Sequence, residues 1–117
     1  MKLISHRGNL TGPNPERENN PDYIWEAIQA GYEVEVDVWW VDGKFKLGHD
    51  EPKYHFPFSL IERHYSKLWI HCKNMDALSQ LNELDSSGLK VNYFSHENDL
   101  GVLTSRGYIW STNVYKR

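Results

Sequence analysis

The chain has 117 residues, enough for one domain with one core and too few for two. Thirteen Lys and Arg against sixteen Asp and Glu leave a net charge of −3, which excludes the broad basic surface of a nucleic-acid binder, so any phosphate must be gripped locally. One cysteine, Cys72, excludes an internal disulfide; no apolar run reaches the roughly 18 residues of a membrane span and the N-terminus shows no signal-peptide stretch, so the expected setting is reducing and cytoplasmic.

In chain order, the apolar opening at Leu3 and Ile4 runs straight into Ser5-His6-Arg7-Gly8-Asn9. A buried strand that turns polar this abruptly is leaving the core, and strand exits are where functional groups are placed. The following stretch, "NLTGPNPERENNP" at 9–21, is the only Pro- and Gly-rich segment and reads as a loop. It ends in a helix start: Asn20 as N-cap, Pro21 at the first helical position, Asp22 in the first turn, with Gly31 as the stop. Ile24, Ala27 and Ile28 share one face between those limits.

Residues 32–41 alternate with period two, Tyr32, Val34, Val36, Val38 and Trp40 against Glu33, Glu35, Asp37 and Trp39, and predict a strand. Glu35 and Asp37 therefore share a face, with Cα atoms about 7 Å apart. Asp42-Gly43 predicts a hairpin into "KFKLGHD". Its register stays open at this level. A two-residue turn sets Val36 opposite His49 and leaves that histidine on the apolar side, whereas a glycine bulge at Gly43 sets Glu35 opposite it.

Beyond the hairpin come a short amphipathic piece at 58–65, a strand "LWIHCK" at 68–73, and a helix from Asn74 to Gly88 with Ala77, Leu78, Leu81 and Leu84 inward. Two more strand-like runs, "KVNYFSH" and "GYIWST", follow. Strands alternating with helices argue for parallel βαβ units. Trp69, His71 and Lys73 share one face of the 68–73 strand, and Cys72 falls on the apolar face as an inert core thiol.

Two carboxylates as close as Glu35 and Asp37 repel unless a proton or cation sits between them, and such oxygen pairs suit hard divalent metals; the alternative is a solvated strand face. His6 and His49 each end a strand-like run, and two histidines can supply one general acid and one general base near neutral pH. Arg7 offers a planar fork for phosphate, and Lys73 a second cation. His55, His64 and His96 form no pattern and read as structural or exposed.

Together, "HRG" at 6–8, "EN" at 18–19, "EVEVDV" at 33–38, "DG" at 42–43 and "LGHD" at 47–50 resemble the glycerophosphodiester phosphodiesterase family, and "WIHCK" at 69–73 resembles a later strand of that family more loosely. The resemblance implies an α/β fold of the TIM-type (β/α) barrel class, here reduced or partly open, with the β-hairpin around Asp42-Gly43. It implies a metal-dependent phosphoric diester hydrolase in which His6 and His49 are catalytic, Arg7 and Lys73 bind the substrate phosphate, and Glu35 and Asp37 bind the metal, with Glu18 and His71 as further ligand candidates. The implied cofactor is a divalent metal, Mg²⁺ first, with Ca²⁺ or Mn²⁺ as alternatives, and the implied partner is a small-molecule phosphodiester. The family carries an acid where this chain has His71, and a histidine ligand shifts preference away from Ca²⁺ towards Mn²⁺ or another transition metal. A complete barrel needs at least about 200 residues. The short chain is therefore expected to leave strand edges open or to cover them with a second copy as a homodimer. The competing reading is a non-catalytic phosphate- or ligand-binding module.

Overall fold

The computed structural model describes residues 3–95 and 101–111. In chain order it contains β1 (Ile4–His6), α1 (Pro21–Gln29), β2 (Glu33–Val41), β3 (Lys44–Leu47), β4 (Tyr54–His55), α2 (Phe58–His64) with a 3₁₀ turn (Tyr65–Lys67), β5 (Leu68–Cys72), α3 (Met75–Ser86), β6 (Asn92–Phe94), β7 (Gly101–Leu103) and β8 (Ile109–Ser111). The helix signals act as expected. Asn20 accepts the Asp22 N–H with Pro21 at the helix start, and Asn74 accepts the Ala77 N–H. The Asn74 amide also brackets the Trp40 backbone, accepting its N–H at 3.2 Å and donating to its carbonyl at 3.0 Å, which ties the start of α3 to the far end of β2.

β2 is the hinge of the architecture because it is long enough to hold three neighbours. β1 runs parallel to its first half, the antiparallel β3 pairs with its second half on the same edge, and β5 runs parallel along the other edge. The six-stranded sheet reads β4-β3-β2-β5-β6 with β1 beside β2, while β7 and β8 form a separate antiparallel pair. Val34, Val36 and Val38 of β2, Leu68, Ile70 and Cys72 of β5, and Phe45 and Leu47 of β3 face the helices and form one core with Ile24, Ala27, Ile61, Ala77 and Leu81. Each fully buried aliphatic side chain of this kind contributes about 1.5–3 kcal/mol relative to exposure. Cys72 lies in that core, where burial pushes its thiol up to about 12 and leaves it unreactive at neutral pH.

The barrel expected from the resemblance is not what forms: among the described residues the fold is an open mixed sheet with three α-helices. Among the described residues four strands, β1, β2, β5 and β6, are parallel, and a closed (β/α) barrel takes eight with matched tilt and stagger. Antiparallel β3 takes the edge of β2 beyond β1, and the outer edge of β6 is bonded to Ser105, whose N–H donates to the Tyr93 carbonyl and whose hydroxyl accepts the Tyr93 N–H. Capping an edge with a turn rather than a strand is one way to protect it from pairing with another chain. No helix among the described residues is long and apolar enough to cross a membrane.

Candidate metal centre

Sheet register brings the candidate groups together. His6 sits beside Glu35 across β1 and β2, and Asp37 sits beside His71 across β2 and β5. In-register neighbours project to the same side of the sheet, so these four side chains converge on the face opposite the helices. Trp69 and Phe94 wall that face with Ile4, and the Phe94 ring stacks on His71 at 5.2 Å and 7°. Glu35 and Asp37 are 2% and 0% exposed. A solvated acidic strand face is thereby ruled out for this pair.

Burial gives the two carboxyls opposite fates. Burial, and then the Asp37 charge, raise the Glu35 pKa well above the ordinary carboxyl range, and Glu35 Oε1 has no hydrogen-bond partner among the described residues. Burial pushes Asp37 in the same direction, but hydrogen bonds from His71 and Asn19 and the Arg7 cation outweigh it and hold Asp37 down at about 2. Asp37 Oδ1 lies 3.1 Å from His71 Nδ1; Oδ2 accepts from Asn19 Nδ2 at 3.0 Å and lies 3.0 Å from Arg7 Nε, whose N–H is not aligned for a hydrogen bond.

Glu35, Asp37 and His71 each present a donor atom within 4.8 Å of the others. His71 Nδ1 is 3.1 Å from Asp37 Oδ1 and 3.8 Å from Glu35 Oε2. Adjacent donors about 2.1 Å from one cation stand roughly 3.0 Å apart at a right angle and about 4.2 Å apart across it, so these separations match the edges of one coordination shell. The charges fit as well. With Glu35 ionised, Glu18, Glu35 and Asp37 stand against the Arg7 guanidinium and the Lys73 charge and leave a net negative charge for a divalent ion to offset. In the Nε2–H tautomer, His71 Nδ1 is a metal donor rather than a hydrogen-bond donor.

Glu18, a ligand candidate in the sequence, is committed elsewhere. Its Oε1 accepts from Arg7 Nη1 and its Oε2 from Asn9 Nδ2 and the Asn14 N–H, all at 3.0 Å. Burial raises its pKa, and these bonds from Asn9, Arg7 and Asn14 outweigh that and lower it. Arg7 is likewise bound on two sides, to Glu18 and Asp37, so it braces the centre instead of offering a free fork. Lys73 follows β5 and acts on Glu35 through its charge, favouring the ionised form. Asn19 was missed as a site residue; it is 1% exposed and holds Asp37 by both its side-chain oxygen and its N–H. Its only sequence signal was its place beside Glu18 in the "EN" pair.

His6 Nε2 lies 3.6 Å from Glu35 Oε1. Burial and the neighbouring Arg7 cation lower its pKa to about 4, so the ring is neutral at pH 7. Unfolded His6 takes up a proton near 6.5 and the folded residue only near 4, so it costs the fold stability as pH falls across that window. A ¹⁵N-NMR titration of the metal-free protein is expected to place the His6 midpoint near 4; a midpoint near 6.5 would show a solvated ring.

The hairpin resolves the position of His49 in an unforeseen way. The turn has two residues, Asp42 and Gly43 both at positive φ, and Val38 pairs with Leu47. Continued, that register would set His49 against Val36, but the strand stops at Leu47. The Gly48 N–H bonds the Asp37 carbonyl, and the chain then leaves the sheet. His49 is consequently exposed, with Nδ1 2.9 Å from Asp50 Oδ1, and it lines a cavity of about 330 Å³ with Arg7, Glu18, Asn19 and Lys53. The exit requires glycine: a Cβ on Gly48 would lie 1.9 Å from the Glu51 carbonyl oxygen. Gly48→Ala is expected to displace the 48–53 loop and to cost about 1–3 kcal/mol in urea unfolding. An unchanged midpoint would show that the loop gives way freely. Gly8 is constrained in the same way, at φ +92 with a Cβ position 2.9 Å from the Tyr23 ring, which lets the chain turn out of β1 behind His6 and Arg7.

No known protein family, characterised protein or solved structure matches this chain.

Proposed function

We propose that the chain is a metal-dependent phosphoric diester hydrolase acting on a glycerophosphodiester-like small molecule, with His6 and His49 as its proton-transferring pair. What carries this reading is the convergence of Glu35, Asp37 and His71 into one three-donor group beside a neutral His6 and a cavity lined by His49. The resemblance of "HRG", "EVEVDV" and "LGHD" to the glycerophosphodiester phosphodiesterases supports the choice of substrate. A divalent ion held by Glu35, Asp37 and His71 supplies charge neutralisation at the phosphate oxygens when bound. The nitrogen donor of His71 favours Mn²⁺ or a neighbouring first-row ion over Ca²⁺. His6, neutral at pH 7 on the strand face, is suited to accept the proton of the attacking hydroxyl; His49, on the cavity wall, is suited to protonate the leaving alcohol. Arg7 and Lys73 offset the charge of the substrate phosphate, Arg7 from within its ion pairs and Lys73 from the end of β5.

A non-catalytic phosphate-binding module is the second reading, favoured by the pairing of His49 with the exposed Asp50 on a loop. The deciding assay follows hydrolysis of glycerophosphodiesters and of a chromogenic aryl diester with Mn²⁺, Mg²⁺ or Ca²⁺. Turnover abolished by chelator and restored by metal supports the enzyme. Metal-stimulated ligand binding without turnover supports the module, and turnover indifferent to chelator contradicts the metal-dependent reading.

A further inference from the structure

The chain treats the two oxygens of Asp37 differently. Oδ2 accepts a hydrogen bond from Asn19 Nδ2 at 3.0 Å and has Arg7 Nε at 3.0 Å on its other approach, whereas Oδ1 faces His71. The orientation of the Asn19 amide is determined by chemistry: the Asp37 N–H, which can only donate, bonds Asn19 Oδ1 at 2.9 Å, so the atom meeting Oδ2 must be Nδ2. The clamp is also anchored from behind. The Asn19 N–H donates to the Arg7 carbonyl at 3.0 Å, and Asn19 sits at φ +65, a left-handed conformation that asparagine tolerates better than most residues.

From this asymmetry we infer that Asn19 is a positioning residue that sets which cations the centre accepts, by holding Asp37 Oδ2 so that Asp37 offers a single donor oxygen. The inference rests on reading Glu35, Asp37 and His71 as a metal centre. Ca²⁺ takes six to eight oxygen ligands and commonly draws on bidentate carboxylates, whereas a smaller six-coordinate ion accepts a one-oxygen carboxylate and a nitrogen without loss. An aspartate with one oxygen clamped and a histidine in place of a third carboxylate both withdraw oxygens that Ca²⁺ needs. The arrangement therefore discriminates against Ca²⁺ in favour of an ion such as Mn²⁺.

Calorimetric titration with Mn²⁺ and with Ca²⁺ tests this on the wild-type chain and on Asn19→Gly and Asn19→Ala. Glycine suits φ +65, so that variant removes the amide without backbone strain. The wild type is expected to bind Mn²⁺ at least about 10-fold more tightly than Ca²⁺, and both variants are expected to shrink that ratio by about 10-fold. Equal Mn²⁺ and Ca²⁺ affinity in the wild type overturns the inference without recourse to a variant. So does a parallel loss of both affinities in the variants with the ratio unchanged, which is what a merely structural asparagine produces. Absence of binding of either ion to the wild type overturns the metal reading itself, and this inference with it.

Discussion

Asp37→Ala is expected to lower the free energy of unfolding by about 3–5 kcal/mol, the cost of breaking a buried ion pair by removing one partner. The loss goes beyond one contact. Asp37 is wholly buried, and its carboxylate answers Arg7 Nε, Asn19 Nδ2 and His71 Nδ1 at 3.0, 3.0 and 3.1 Å. With a methyl group in its place, two polar side chains and a guanidinium lose the acceptor around which they are arranged. Against the 5–15 kcal/mol that holds a typical domain together, this is enough to bring the chain close to its folding threshold. Urea unfolding of the metal-free protein measures it. A loss below about 1 kcal/mol, the range of exposed ion pairs, would show that the network is solvated.

The second large effect is on rate. His6→Ala and His49→Ala are each expected to lower kcat for diester hydrolysis by about 10²- to 10⁴-fold, the usual contribution of a positioned acid or base. Metal affinity should change little, since neither histidine belongs to the three-donor group. The double variant should fall well short of the product of the two losses, because an acid and a base acting in one transition state do not contribute independently. Steady-state kinetics on the three variants, with metal affinity measured alongside, separates this outcome from a general loss of structure. Activity retained in the double variant would remove both histidines from the chemistry.

Much of the site was legible in the sequence because alternation in a strand maps directly onto faces. Period two in residues 32–41 placed Glu35 and Asp37 together, and the same pattern in 68–73 placed His71 and Lys73 on one side of a second strand. Alternation says nothing, however, about what covers a face. That Glu35 and Asp37 are buried depends on residues distant in sequence, Trp69, Phe94 and the loop carrying Asn19, and on the parallel register that aligns β2 with β5. His49 shows a different limit. Turn chemistry correctly offered a two-residue hairpin as one of two registers, but the early exit at Gly48 is set by the close approach of the Glu51 carbonyl, which no local pattern encodes.

The fold class was misjudged for a related reason. Alternating strands and helices report parallel units but not how many neighbours a strand will accept, and β2 takes an antiparallel partner on the edge it shares with β1. β7 went unseen because its three residues, Gly101–Leu103, carry no alternation long enough to register; among the described residues they pair with β8. The run assigned to a strand up to residue 96 forms β6 over Asn92–Phe94, and His96 lies outside the described residues.

Whether Glu35, Asp37 and His71 hold one divalent cation is tested most directly by an anomalous difference map from crystals of the protein grown with Mn²⁺. A single strong peak about 2.0–2.3 Å from a carboxylate oxygen of Glu35, Oδ1 of Asp37 and Nδ1 of His71 is the predicted result. A peak away from these three residues, or none at a concentration that supports turnover, would contradict it.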